Sequence, residues 1–219
     1  MSCLLVIIAD VDEPPNWKTV RLVLQRHMLI TQTLVYTSQD TVSSAKLRVL
    51  LFCSCCVPAS KLAVDPPVIY EDLVGLFRNN LVDHRIYEQR EAAQGLSTLD
   101  GVATSDLPPD HIMVMNAMTP SPSSEKSFND WYAHEHIPLL RLVPSWLSSE
   151  RFLLTSSAAE RVPQCLALHR WNDIGAFETA EYKAATNTPW RTAVMEDIIE
   201  RERLVLTYEG SLENLALAL

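Results

Sequence analysis

The sequence predicts an α+β fold in which one β-α-β-β-α-β unit occurs twice along the chain. Each half opens on a continuous apolar run, at 4–10 and at 112–118, which is typical of a buried strand. A histidine follows at nearly the same distance from each run, His27 in the first half and His136 in the second. The last predicted strand of each half contains the dipeptide Tyr-Glu. These shared positions favour a duplication of the ferredoxin-like unit.

Apolar periodicity and turn residues define the elements of the first half. The segment 92–109 is rich in small, polar and proline residues and has no clear period. It is therefore predicted to link two domains, 1–95 and 110–219. Strands are predicted at 4–10, 33–37, 47–56 and 82–89, and helices at 17–32 and 68–78.

The second half repeats this plan. Alternation along 165–171 predicts a strand in which His169 and Trp171 share one face, and it leaves open whether that face meets a cavity or the helix layer. Two such units can pack their sheets face to face and close a barrel around a cavity, with the helices outside. The other strands are predicted at 112–118, within 146–156 and at 203–209, with helices at 127–136 and at 177–199, the latter interrupted at Pro189.

Composition narrows the class of partner. At 219 residues with 47% hydrophobic content, the chain can bury a sizeable core. Its net charge of −9 argues against nucleic acid or an anionic membrane as the partner, since both are bound through basic patches. No apolar run approaches the ~18–20 residues of a membrane span, and the run at 4–9 lacks the basic segment of a signal peptide. A cytoplasmic protein that binds a small molecule is expected.

The cysteines and glycines bear on cofactors. Five cysteines is an odd number, and Cys53, Cys55 and Cys56 lie in an apolar run, which predicts buried thiols in a reducing compartment. A metal site at C-S-C-C is the alternative, but the paired spacing of zinc sites is absent. Only five glycines occur and none form G-x-G-x-x-G, so no nucleotide cofactor is indicated.

Chemically active side chains concentrate in one stretch, S-F-N-D-W-Y-A-H-E-H-I-P-L-L-R-L-V-P-S-W at 127–146. Ser127 suits a helix N-cap, Asp130 suits the first turn, and Pro138 predicts that the helix ends at His136. Tyr132 precedes His136 by four residues, the spacing of helical neighbours. One interpretation is a proton-handling pair. The other is an aromatic stripe that packs in the core, with a histidine that caps the helix.

The second half carries four motifs in order: W-Y-A-H-E-H-I-P-L-L, V-P-S-W, Q-C-L-A-L-H-R-W and E-Y-K-A-A-T-N-T-P-W-R. In combination they resemble the EthD-like members of the dimeric α/β-barrel superfamily over about 110–210. In the first half only His27 matches, at the position of the H-I-P histidine and without its proline. The resemblance implies a tandem chain, in which two ferredoxin-like repeats form within one chain the barrel that relatives form by dimerising.

The resemblance also implies a site. Enzymes of this superfamily hold an apolar ligand in the barrel and use histidine with tyrosine or aspartate for acid–base steps. This implies His136 and Tyr132 as the catalytic residues, with Asp130 as a less firmly matched third member. The H-E-H sequence is not expected to bind a metal, because residues two apart point to different sides of a helix. The residues expected to contact substrate are Trp131, His27, Trp146, His169 and Trp171.

The implied function is that of a cofactor-free cyclase, dehydratase or decarboxylase acting on a hydrophobic, polyketide-like small molecule of secondary metabolism. Such reactions need enolisation, which a histidine that titrates near neutral pH can catalyse and a tyrosine hydroxyl can assist. The alternatives are a non-catalytic carrier of a hydrophobic metabolite and a cofactor-independent monooxygenase of the same fold. A pocket of a few hundred Å³ lined by tryptophan is expected. A homodimer is compatible with each of these functions.

Overall fold

The barrel is built from eight antiparallel strands. The computed structural model describes residues 3–27, 29–38, 46–64, 66–77, 80–92 and 108–218. The strands close in the order β1-β3-β2-β8-β5-β7-β6-β4, which confirms the predicted α+β fold of two ferredoxin-like repeats. The strands are β1 (Cys3–Val11), β2 (Ile30–Ser38), β3 (Leu47–Cys55), β4 (Leu81–Ala92), β5 (Ile112–Pro120), β6 (Trp146–Ser157), β7 (Cys165–Trp171) and β8 (Ile198–Ser211).

Each half contributes four neighbouring strands in the same order. The first half runs β4-β1-β3-β2 and the second runs β8-β5-β7-β6, which is the strand order of a ferredoxin-like sheet in both cases. The outer strands then pair across the halves, β2 with β8 and β4 with β6. Closure in this way leaves none of the eight described strands with an unpaired edge. The predicted linker at 92–109 lies almost wholly outside the described residues.

The helices differ from the predictions in several places, and the helix at 59–64 was not predicted. The first helix ends at Gln25 and not at 32, since the β-branched run that follows is recruited into β2. The last two residues of the helix predicted at 177–199 belong to β8, which begins at Ile198 and pairs with β5 from there. A helix at the C-terminus was not predicted. The helices are α1 (Trp17–Gln25), α2 (Ala59–Val64), α3 (Pro66–Phe77), α4 (Glu125–Trp131), α5 (Ile137–Leu140), α6 (Ala180–Ala185), α7 (Pro189–Glu196) and α8 (Leu212–Leu217).

Side chains fill the interior of the barrel. Its centre is apolar, and an ion-paired group lies toward each end. At one end Arg85 contacts Asp83 and Glu202, and at the other Arg170 contacts Glu150. The expectation of a ligand cavity inside the barrel is therefore wrong. Apolar side chains from all eight strands pack there, among them Leu4, Tyr36, Phe52, Tyr87, Met115, Phe152, Leu168 and Leu206.

The opposite face of the sheet is also buried, because helices cover it. In the first half α1, α3 and α8 pack on apolar residues of β1 and β3. In the second half α4 to α7 pack on alternate residues of β5 and β7. Cys53 and Cys55 are buried as predicted, whereas Cys56 is exposed. Among the described helices, none combines the length and apolar character needed to cross a membrane.

Candidate active site between the second sheet and its helices

The helix that carries the histidine motif continues past Pro138. It consists of α4, a π-helical turn at Tyr132–His136, and α5. The Ile137 N–H bonds to the Tyr132 carbonyl five residues back, which is the π pattern. Proline has no N–H to donate and its ring clashes with the carbonyl four residues earlier. The wider turn accommodates the proline, so the predicted stop at His136 is wrong. Ser127, predicted as the N-cap, lies inside α4.

The π-turn changes which side chains meet. On a regular α-helix, residues five apart point about 140° away from each other. Here Trp131 and His136 stack, with ring centroids 4.3 Å apart and an interplanar angle of 20°. Tyr132 meets the same imidazole edge-on, at 5.4 Å. His136 is thereby held between two aromatic rings on the inner side of the helix, and it is only 6% exposed.

A small cavity of about 50 Å³ lies between this helix and the sheet. Its floor is the outward face of β5, β7 and β8, and its roof is formed by the helices of the second half. The volume is below the few hundred Å³ expected, so a ligand larger than a few water molecules must displace side chains of the helical roof as it binds. The lining residues are Val114, Asn116, Trp131, His136, Leu140, His169, Trp171, Tyr182, Thr186, Arg191, Met195, Arg201 and Arg203.

His169 stands on the floor of the cavity with its orientation set by a short chain of polar groups. The Trp146 Nε1–H donates to the Ser149 hydroxyl at 3.1 Å, and that hydroxyl lies 2.8 Å from His169 Nδ1. Because its oxygen accepts from the indole, Ser149 keeps its own proton available to donate to Nδ1, and in that tautomer the imidazole proton is on Nε2. His169 Nε2 is buried and has no hydrogen-bond partner among the described residues. Trp146 therefore supports His169 and does not line the cavity.

Tyr132 lies beside both histidines. Its ring is parallel to that of His169, at a centroid distance of 6.3 Å. The Arg151 guanidinium covers the other face of the phenol at 4.4 Å. Burial raises the pKa of Tyr132, and the Arg151 charge opposes that rise only in part. Tyr132 is therefore a neutral phenol at neutral pH, able to donate its proton in a hydrogen bond.

Both cavity histidines are neutral at physiological pH. Burial lowers the pKa of His136 to about 4, and the Ala185 carbonyl offsets a small part of that effect. Burial lowers the pKa of His169 well below its ordinary value, helped by the nearby His136 and Arg151. Neutral imidazoles supply both a nitrogen that accepts a proton and an N–H that donates a hydrogen bond.

The depressed pKa of His136 predicts a loss of stability in mild acid. Between pH 7 and pH 5 the unfolded chain protonates this histidine, with a pKa near 6.5, while the folded chain does not. The free energy of unfolding should fall by about 2 kcal/mol per such histidine. Urea unfolding at the two pH values checks this, and the fall should be smaller in His136→Gln. The control is His134→Gln, because His134 is exposed. Equal falls in wild type and His136→Gln would contradict the prediction.

Unsatisfied polar atoms gather around the cavity. A buried polar atom without a partner costs about 1–3 kcal/mol, so folded proteins contain few of them. Such atoms mark places where another molecule completes the hydrogen bonding. Five side chains of the lining, and Tyr132 beside it, each have a buried polar atom with no hydrogen-bond partner in the described part of the chain. They are Asn116 Oδ1, Trp131 Nε1, Tyr132 Oη, His136 Nδ1, His169 Nε2 and Trp171 Nε1.

Besides Trp146, two residues predicted for this site lie away from the cavity. Asp130 is on the outer side of α4, where its carboxylate lies 2.5 Å from Lys126 Nζ. The π-turn begins only after Asp130, so it does not rotate this side chain toward the cavity. The prediction that Asp130 is catalytic is therefore wrong. His27 lies in the first half, where its Nε2 is 3.1 Å from the Asp72 carboxylate. That position follows α1 in the half of the chain that does not line the cavity, so His27 does not contact a ligand there.

Sequence patterning missed several lining residues, although three of them left a signal. Asn116 is the single polar residue before Thr119 in β5, an otherwise apolar strand. Arg201 and Arg203 alternate on β8 with the inward-facing Glu202 and Leu204. Arg191, on α7, left no such signal. Within the described residues no three His, Cys, Asp or Glu side chains come together to bind a metal ion.

No family model and no curated protein matches this sequence. Solved structures do resemble the fold. An anthrone oxidase-like protein has a TM-score of 0.60 at 12% identity, covering 96% of this chain and 92% of its own. A protein from Fusobacterium nucleatum subsp. nucleatum, provisionally named a monooxygenase, has a TM-score of 0.61 at 10% identity. The match covers 96% of this chain and 93% of that protein. A protein provisionally named a chlorite dismutase has a TM-score of 0.63 at 15% identity. The match covers 100% of this chain and 98% of that protein. The chain has the fold of the dimeric α/β barrels.

Proposed function

We propose that this chain is an EthD-like, tandem-repeat enzyme, with repeats at 1–95 and 110–219, that acts by acid–base chemistry on a hydrophobic, polyketide-like small molecule. The reaction is a cyclisation, dehydration or decarboxylation that passes through an enolate. The observation that carries the proposal is the group of buried, unpartnered polar atoms around an aromatic-lined cavity. A purely structural aromatic core would not accumulate unsatisfied donors and acceptors at one point.

The three polar side chains divide the work of forming an enolate. His136 is neutral and accepts the proton from carbon, and the negative charge that develops on the substrate raises its pKa during the transfer. The Tyr132 hydroxyl and the His169 Nε2–H donate to the enolate oxygen. Their low-dielectric surroundings strengthen both hydrogen bonds. Trp131 fixes the imidazole by stacking on it, which limits its rotation.

Proton abstraction can be tested with a small ketone whose CH₂ group is weakly acidic. We expect the protein to accelerate deuterium exchange into 2-indanone in D₂O under nitrogen, followed by NMR. Tyr132→Phe should slow this exchange about tenfold, the value of one lost hydrogen bond to a developing charge. A protein that binds 2-indanone yet leaves its exchange rate at the buffer value would be a carrier of hydrophobic metabolites and not an enzyme.

The second candidate is a cofactor-independent monooxygenase, which the names of the anthrone oxidase-like and monooxygenase-related neighbours favour. Its first step is the same deprotonation, after which the carbanion transfers electrons to O₂. Oxygen uptake with anthrone as substrate separates the two functions. Uptake that depends on His136 supports the oxygenase, whereas exchange without uptake supports the lyase or isomerase.

A further inference from the structure

Three arginines line the cavity, and Arg201 and Arg203 are also exposed to solvent. Arg191 comes from α7, and Arg201 and Arg203 come from neighbouring outward positions on β8. No carboxylate lines the cavity with them. Within the part of the chain that the structure describes, none of the three guanidinium groups forms an ion pair. The cavity therefore presents concentrated, uncompensated positive charge beside its aromatic wall.

This arrangement contrasts with other arginines of the same fold. Arg48, Arg85 and Arg170 each contact at least one carboxylate at 2.7 Å or less. The chain as a whole carries nine more acidic than basic side chains, so carboxylates are plentiful. Like charges held close together repel each other, and Arg191 is also partly buried. Both effects lower its pKa, burial first and the charges of Arg201 and Arg203 after it.

A bound anion would relieve this repulsion, and the rest of the cavity defines what that anion is attached to. The indoles of Trp131 and Trp171, both about 1% exposed, line the same cavity. The same lining contains the unpartnered His169 Nε2 and Asn116 Oδ1, which suit the polar substituents of a ring. Guanidinium groups bind carboxylates through paired hydrogen bonds.

We propose that the ligand of this cavity is an aromatic carboxylic acid, held by Arg191, Arg201 and Arg203 through its carboxylate while its ring lies against the two indoles. This inference rests on the proposed function for the position of the site and adds the charge of the substrate. A carboxylate at this position lies close to His136, and its negative charge favours protonation of the imidazole. The substrate itself thus makes His136 a stronger base than it is in the free protein.

Binding of benzoate and of benzamide tests the charge, because the two have the same shape and differ in ionisation. We expect calorimetry to show benzoate binding at least tenfold more tightly, with a difference that shrinks at high salt. Arg191→Gln and Arg203→Gln should each weaken benzoate binding about tenfold or more, since a hydrogen bond to a charged group is lost. Benzamide binding should not change. Arg26→Gln removes the same charge at an exposed site in the first half and should leave both ligands unaffected.

The inference fails if benzoate and benzamide bind alike, if neither binds at millimolar concentration, or if the preference for benzoate survives in the Arg191→Gln/Arg203→Gln double variant. These outcomes are independent of the enzymatic proposal. Deuterium exchange into neutral 2-indanone with no preference for benzoate would retain the acid–base function and reject the anionic ligand. Selective benzoate binding without any exchange activity would retain the anionic ligand and reject the acid–base function.

Discussion

His136→Ala is expected to lower turnover by about 10²–10⁴-fold, the range for loss of a general acid or base. Among the residues described, His136 is the only histidine that stacks on Trp131 and lines the cavity from the helix side. Removing it takes away the proton acceptor but leaves most of the apolar lining in place. Binding of an apolar product analogue should therefore change far less than turnover. Deuterium exchange and calorimetric binding, measured on the same preparation, separate the two effects.

His134→Ala is the matched control. His134 is in the same π-turn, two residues before His136, and is exposed to solvent. The substitution removes the same side chain from the same helix without touching the cavity, so turnover should stay near that of the wild type. Loss of activity in His134→Ala but not in His136→Ala would mean that the other side of the helix carries the chemistry. If neither variant affects a confirmed activity, the acid–base mechanism is wrong.

Much of the sheet could be predicted from sequence, because its signals are local. Alternation and apolar runs identified all eight strands, and β7 was predicted with its observed bounds, Cys165–Trp171. The repeated order of elements then sufficed for the two ferredoxin-like units. The π-turn could not be predicted in this way. Pro138 signals a disruption, but whether the chain stops or widens by one residue depends on the packing of Trp131 and Ile137 against the sheet.

The position of the cavity was not predictable for a related reason. Both faces of β5 and β7 are buried, one in the barrel and one under helices, so apolar residues occupy both sets of alternating positions. Alternation shows which residues share a face and not which layer that face meets. His169 and Trp171 were assigned correctly to one face of β7, but only the three-dimensional packing puts that face toward the helices. Arg201 and Arg203 were not predicted as site residues because charged residues that alternate along a strand resemble a solvent-exposed face.

Arg170→Met is expected to lower the free energy of unfolding by about 3–5 kcal/mol, a large share of the 5–15 kcal/mol of a typical domain. Arg170 is 1% exposed inside the barrel, and its Nη1 donates to Glu150 at 2.6 Å and to the Ser148 hydroxyl at 3.1 Å. Its Nε also donates to the Tyr36 hydroxyl at 3.4 Å. Methionine fills similar space but leaves the fully buried Glu150 carboxylate without its arginine. Urea unfolding measures the loss.

Two further variants test whether the loss comes from the uncompensated charge. Arg170→Met/Glu150→Leu removes both ions and should recover most of the stability, since a buried ion pair and a well-packed apolar pair differ little in free energy. Arg161→Met makes the same exchange in an exposed pair with Glu200, where the cost should stay below about 1 kcal/mol. A double variant no more stable than Arg170→Met would show that packing, and not the charge left on Glu150, accounts for the loss. The barrel would then depend on the arginine as a space-filling side chain, with its stem packed among the apolar residues at that end.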